Sequence, residues 1–371
     1  MSSLLLGSPL DQIAVNTASR RSKPTSVAAM NRAKDIAPLE FKICACMYAL
    51  MQGGPLKPKA DACGLGVSTL RGWLDSFADA VISEIKPKHM PCTPITPEAR
   101  QAIRGNFASR RGLSKCELAC DGTHLAFKPK NAIVASDYRN FKGWTSILCV
   151  AFVDSFYRFF DVDVGYPGKA GDNTVLRNNW FMLEISKDHD KWLGTDGVIL
   201  GDSGASDADG VFLNPYHAPV EPEKLWFNFC HSSTRFFVEQ TFGIWKSRFR
   251  FLLDPLRVRH KLHVKLVYTS AILHNMLIVL GQDNGQVLTE DANVSWSQFF
   301  ALHEKDRCPQ CAREGKKHCI HQTVHRNGGA QVSQARSVPS ALRDEMCNKL
   351  WRDVLCGPSR DEIERLMNKR C

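Results

Sequence analysis

Apolar positions along the chain fall into two regimes. Between residues 36 and 86 they recur every three to four positions, the period of helices with one face turned inward. Between 115 and 203 they form short continuous or alternating runs, the pattern of strands. In the first regime Phe41, Cys44, Tyr48 and Met51 form one stripe, and Gly53, Gly54 and Pro55 end that helix. A short second helix is expected around 59–63. Gly64 and Gly66 supply a tight turn, and Ser68 is placed to cap a third helix through STLRGWLDSFADAVISEI (68–85). Leu70, Trp73, Leu74, Phe77 and Val81 make its inward stripe. Two helices joined by a Gly-containing turn outline a helix-turn-helix, although a plain helical bundle carries the same pattern. Asp75, Asp79 and Glu84 on the third helix would repel phosphates, whereas Thr69 and Arg71 stand at its start, where groove contacts are made.

In the second regime, KCELACD (115–121) reads as a strand ending in a carboxylate. TSILCVAFVD (145–154) and RFFDVDVG (158–165) follow with short connections, so the three are expected as an antiparallel meander. TVLRNNWFMLEI (174–185) reads as helical. GVILGDS (197–203) is a fourth strand, apolar enough to be buried on both faces and ending in Asp202. RFFVEQTFGIWKSRF (235–249) reads as a helix, and LVYTSAILHNMLIVL (266–280) as a buried one, too short and too polar at His274 and Asn275 for a membrane span. The order β-β-β-α-β-α is that of ribonuclease-H-like α/β domains.

Around this core, 1–35 is Ser-, Ala- and Arg-rich and expected as a loose tail, with SRRSK (19–23) a weak nuclear-import signal. Residues 36–86 form the small all-α module, 87–113 a basic, Pro-containing linker with Arg104, Arg110 and Arg111, and 114–285 the main domain. Residues 286–371 form a C-terminal region ending in two amphipathic stretches, 341–355 and 360–369. The 371 residues are 44% apolar and 23% charged, which excludes wholesale disorder. The formal charge of +10 favours a polyanionic partner. Fourteen cysteines scattered through apolar runs do not read as a disulfide framework, so a reducing compartment is expected; no secretory signal or membrane association is read from the sequence.

Asp121 and Asp202 each stand at the carboxyl end of an apolar strand, where sites in open α/β sheets gather. Were the two strands neighbours, both carboxylates would enter one crevice, and Glu239 on its helix could pack across it. Three carboxylates in a small space raise one another's pKa, and divalent cations resolve the conflict. Mg²⁺, or Mn²⁺, takes such hard oxygen ligands, and two ions can serve both ends of a phosphodiester displacement. Taken singly, each acid has a blander explanation: an Asp after a strand is often a turn residue, and Glu239 can pair with Arg235 four residues before it.

CDGTH (120–124), YRNFKG (138–143), VD (153–154), GYPGKAGDNTVLRNN (165–179), GDSG (201–204), LNPY (213–216), FN (227–228), HSSTR (231–235) and VEQTFGIWKSRFR (238–250) occur in this order. Together they resemble PIF/Harbinger-type transposases and their host-derived nuclease relatives, whose DDE domain has the ribonuclease-H-like fold. The resemblance runs from about 36 to 281 and includes the helix-turn-helix. It implies a nucleus-located, metal-dependent DNA endonuclease in which Asp121, Asp202 and Glu239 hold two cations. Water would cut the element's end, and the freed 3′-hydroxyl would attack target DNA. It also implies double-stranded DNA as substrate and a separate Myb/SANT-like accessory protein; an oligomer is compatible with the sequence, which leaves the oligomeric state open. Arg235 and Lys246, near Glu239, could contact phosphates, and Asp172 matches a supporting acidic position. His124 reads as a hydrogen-bonded structural residue. The insertion ASDADGVF (205–212) and Cys120 depart from the pattern, so a domesticated, inactive DNA-binding or scaffold protein is the second reading.

Outside the resemblance, Cys308, Cys311, Cys319 and His321, with His325 as an alternative, lie within 18 positions. They are read as a structural Zn²⁺ site, against a reduced Cys/His-rich loop.

Overall fold

The computed structural model describes residues 37–129, 135–202, 210–217, 219, 222–283 and 340–355. Three helices open it: α1 (Leu39–Met51), α2 (Leu56–Ala62) and α3 (Val67–Ala80). A π-helical turn (Val81–Ile85) and α4 (Lys86–His89) extend α3. The inward face of α1 differs from the expected stripe: Ala45, Cys46, Ala49 and Leu50 are buried, while Phe41, Tyr48 and Met51 are more than 40% exposed. Small residues let α1 approach its neighbours closely, so packing selects the Ala/Cys face over the larger one. Gly66, not Ser68, is the N-cap residue of α3 and makes no side-chain cap bond. The α3 stripe is as expected, with Leu70, Leu74 and Val81 buried.

The stretch expected as a linker contains a 15-residue helix, α5 (Pro97–Arg111). Its start is written locally: Thr96 accepts a hydrogen bond from the Ala99 amide and Pro97 occupies the first turn, while Gly112 closes the helix at φ 82°. Ile103 and Phe107 enter the core, and Arg100 and Arg104 converge on the fully buried Glu117, at 2.9 and 2.6 Å.

The sheet comprises β1 (Cys116–Ala126), β2 (Ser146–Val153), β3 (Phe159–Pro167), β4 (Val198–Leu200) and β5 (Phe212–Leu213), in the order β3-β2-β1-β4-β5. The first three form the expected antiparallel meander. β4 lies parallel to β1, and β5 parallel to β4. Alternation divides the sheet's side chains between two cores. Cys116, Ala119, Ile147, Cys149, Ala151, Val198 and Leu200 face one core; Leu118, Cys120, Leu148, Val150, Phe152 and Ile199 face the other.

The second core is covered by α6 (Asp172–Leu176), α7 (Trp180–Lys187) and α8 (His189–Leu193). Asn179 breaks the run expected as one helix, because its side chain caps α7 through the Phe181 and Met182 amides. The first core is covered by α9 (Pro222–Arg248) and α10 (His260–Asp283), with Trp245, Phe242, Leu266 and Ile272 between them and the sheet. A window of α10 is long and apolar enough to cross a membrane, yet 56% of it is buried in the molecule. The last described helix, α11 (Ser340–Leu355), sets Met346, Cys347 and Leu350 into the same core. The architecture is mixed α/β around a five-stranded sheet. The Cys308–Cys311–Cys319–His321 cluster and the amphipathic stretch 360–369 lie outside the described residues.

Candidate active site

Parallel pairing of β1 and β4 sets Ala119 opposite Leu200. Two residues further on stand Asp121 and Asp202, at one level of the sheet: Asp202 lies just past the end of β4, whereas Asp121 sits inside β1, which runs on past the expected end at 121 to Ala126 because β2 keeps pairing with it. The condition the sequence left open, that these strands be neighbours, is met.

The third acid arrives on α9. Over a helix period of 3.6, Asn228, His231, Arg235 and Glu239 fall on one face, and that face lies across the strand ends. Each makes a contact there. Asn228 holds Tyr216 by both backbone groups, at 2.8 Å each. His231 Nε2 meets the Leu213 carbonyl at 2.7 Å. Arg235 donates from Nη1 to Asp121 Oδ2 and from Nη2 to Glu239 Oε1, both at 2.6 Å. Further along the helix, Lys246 donates to Thr123 Oγ1 at 2.6 Å.

Arg235 is thus the electrostatic centre of the cluster. Burial pushes the Asp121 carboxyl above its usual pKa; Arg235 opposes that shift, and the Glu239 and Asp202 charges add to it. Burial works against the Arg235 charge, but Asp121 and Glu239 hold its pKa above the ordinary guanidinium value, with a contribution from Asp202. The blander pairing of Arg235 with Glu239 is therefore real, and it extends to Asp121. Glu239 keeps 37% of its side chain exposed, against 18% for Asp121 and 13% for Arg235, so the cluster opens to solvent on the helix side.

The donor chemistry suits a divalent cation: two carboxylates, hard oxygen ligands, meet at Arg235, and the charge of a third, Asp202, is felt there. Among the described residues, however, no three acidic, His or Cys side chains stand ready as a metal cage. Between Asp121 and Glu239 the compensating charge is a guanidinium.

The other residues named from sequence fall into place around this cluster. Asp172 lies on the opposite face of β1, with its carboxylate against Gly122; a Cβ there would meet Asp172 Oδ1 at 2.3 Å, so only glycine permits the approach. Lys246 is largely buried, and desolvation lowers its pKa to about 8; as placed, it props β1 rather than facing solvent. His124 is hydrogen-bonded, its Nδ1 3.0 Å from Ser146 Oγ, and burial followed by Lys142 and Lys246 lowers its pKa, so it is neutral at pH 7. In the α-helical module, Arg71 is exposed and Thr69 half-buried at the start of α3. Asp75 and Asp79 both pair with Lys265 of α10, so two of the three acids expected to repel phosphates are engaged within the molecule. Sequence reading missed Asn228 and His231 as members of the α9 face. Their signal was present as polar residues at spacings of three, four and four ending on Glu239.

Residues 120–275 match the family described as DDE superfamily endonuclease, which agrees with the family expected from the ordered sequence blocks. The chain is also similar to a Protein ALP1-like of Arabidopsis thaliana, with 26% identity over 223 residues. That alignment covers 54% of this chain, which spans about half the relative's length, 53%. No solved structure matches the chain.

Proposed function

We propose that this chain, whose residues 120–275 match the DDE superfamily endonuclease family, hydrolyses phosphodiester bonds in double-stranded DNA at Asp121, Asp202 and Glu239. The observation that carries the reading is the bridged guanidinium: acids 118 positions apart in sequence (239 − 121) bind one arginine beside the tip of β4. The sheet order, with β2 alone running against the other strands, supports a ribonuclease-H-like domain.

In this reading Asp121, Asp202 and Glu239 would hold Mg²⁺ or Mn²⁺, two ions in all. The ions supply charge stabilisation for the attacking and leaving oxygens. Asp121 and Asp202 fix the position of the scissile phosphate relative to the sheet. Arg235, once released from the carboxylates that bind it, would be free to pair with a phosphate. Lys246 holds Thr123 and keeps β1 straight beside the reacting group. Asp172, pressed against Gly122, fixes the backbone that follows Asp121. Strand transfer by a freed 3′-hydroxyl, end recognition through Thr69 and Arg71, nuclear location, a Myb/SANT-like partner, oligomer formation and Zn²⁺ at Cys308, Cys311, Cys319 and His321 belong to the same proposal.

The test is cleavage of duplex DNA with Mg²⁺ or Mn²⁺. Asp121→Ala, Asp202→Ala and Glu239→Gln are each expected to abolish it while DNA binding survives; cleavage persisting in these variants removes the mechanism. One observation favours a second reading. Arg235 already neutralises two of the three acids, as a domesticated DNA-binding or scaffold protein without catalysis would require. Duplex binding by the wild type, with no cleavage in either metal, selects that alternative.

A further inference from the structure

Against His124, three residues past Asp121 on β1, the connection between β1 and β2 holds two large rings in solvent. Phe141 is 77% exposed and Trp144 40% exposed. Leaving an aromatic ring outside forgoes the gain of burying it, so the construction of the turn matters. Asn140 is buried and braces it: its Oδ1 accepts from the Lys142 and Trp144 amides at 3.0 and 3.3 Å. Its Nδ2 donates to Ser146 Oγ at 3.0 Å, and Ser146 in turn meets His124 Nδ1 at 3.0 Å. Both rings stand edge-on to His124, with centroids 5.5 and 6.1 Å away. The turn that carries the rings is therefore tied to β1 by these bonds; Lys142 Nζ lies 5.8 Å from the Phe141 centroid, and both rings otherwise remain exposed.

The surroundings state the chemistry of what would cover them. Lys142 lies over the Phe141 ring and Arg139 Nε donates to the Gly143 carbonyl within the turn, both side chains being exposed, and Asp137 is the one acid in the turn 136–145. His124 lies three residues past Asp121, roughly 10 Å along a strand, or about three base steps at roughly 3.4 Å each. Beyond Ala119, β1 pairs with β2 only among the described strands, because β4 ends at Leu200. A chain crossing that rim passes from the Asp121 face to the His124 face.

We propose that Phe141 and Trp144 form a stacking platform for an unpaired nucleobase of the DNA strand engaged at the acidic cluster, with Arg139 and Lys142 on its phosphates. The proposal rests on the nuclease reading for the identity of the strand. Aromatic faces stack any base, and each stacked base is sensitive to ring removal. A peptide partner would gain nothing from the cationic border unless it were acidic.

The experiment measures binding by the full-length protein in EDTA, so cleavage plays no part. Three fluorescent probes are used: a single strand, a fully paired duplex, and a duplex with one unpaired 2-aminopurine. Phe141→Ala and Trp144→Ala are each expected to weaken the single strand and the unpaired-base duplex about 5- to 100-fold. The paired duplex should change less than about twofold, and Phe141→Trp with Trp144→Phe should restore binding and 2-aminopurine quenching. Equal affinities in wild type and alanine variants, or an equal loss on all three probes, overturns the platform, as does a wild type that binds none of them. Cleavage by the same preparations in Mg²⁺ separates the two ideas. Asp121-dependent cleavage with no ring-dependent binding leaves the nuclease and removes the platform. Ring-dependent binding without cleavage does the reverse.

Discussion

At the scale of single residues, the molecule turns on Arg235. A guanidinium between two carboxylates, with 13% of its side chain exposed, satisfies charges that burial would otherwise make expensive. Removing one member of a buried ion pair leaves its partners uncompensated, at a cost of about 3–5 kcal/mol. Arg235→Gln is therefore expected to lower the melting temperature in EDTA, and Mg²⁺ or Mn²⁺ should raise it more in the variant than in the wild type. Calorimetry with and without metal checks this. An equal metal response in both proteins would mean that the cation and the guanidinium do not compete for the same carboxylates.

At the scale of elements, two helices show how local writing meets tertiary demand. The face of α9 that carries Asn228, His231, Arg235 and Glu239 is polar because it crosses strand tips, while its other positions, such as Phe227, Phe237 and Trp245, fill the core. Helix α5 ends at Gly112, whose φ of 82° only glycine adopts freely and whose missing Cβ makes room for Leu350 of α11; a Cβ would stand 2.6 Å from Leu350 Cδ2. Gly112→Ala is expected to destabilise by about 2–4 kcal/mol, combining left-handed strain with overpacking. Adding Leu350→Ala should relieve the clash but not the strain, giving a positive coupling in a denaturation double-mutant cycle. Strict additivity would show that α11 does not pack on that turn in solution.

At the scale of the whole molecule, one hydrophobic core runs from Ala45 and Leu50 of α1 through the first face of the sheet to Leu350 of α11. A continuous core predicts one cooperative unfolding transition for the described parts; two resolved transitions would mean that the α-helical module folds separately. Inside that core, burial lowers the pKa of His231 and His263 to about 4 and that of His274 to about 3. These folded values lie below the ordinary 6.5, so their contribution is present above pH 6.5 and is lost as pH falls toward the folded values. Below pH 6 each should add a slope of about 1.4 kcal/mol per pH unit. Denaturant titrations at pH 7.5, 6 and 5 measure it, and His274→Asn should flatten the slope by one histidine's share. A pH-independent stability across that range would contradict the burial of these rings.

The sequence by itself determined most of the elements around the site and singled out its acids. Apolar runs fixed β1 to β4, the ordered blocks pointed to the endonuclease family, and Asp121, Asp202 and Glu239 stood out because each follows or interrupts an apolar segment. Those features are local, set by side-chain period and by neighbours within a few positions. The tertiary structure alone decided that β4 lies beside β1, that Arg235 bridges acids far apart in the chain, and that α1 buries its small face. It also showed that α5 is a packed helix and that Phe141 and Trp144 stay outside. Each of these depends on which surfaces meet after the chain has crossed itself. Contact energies between distant segments leave no periodic trace in either segment alone.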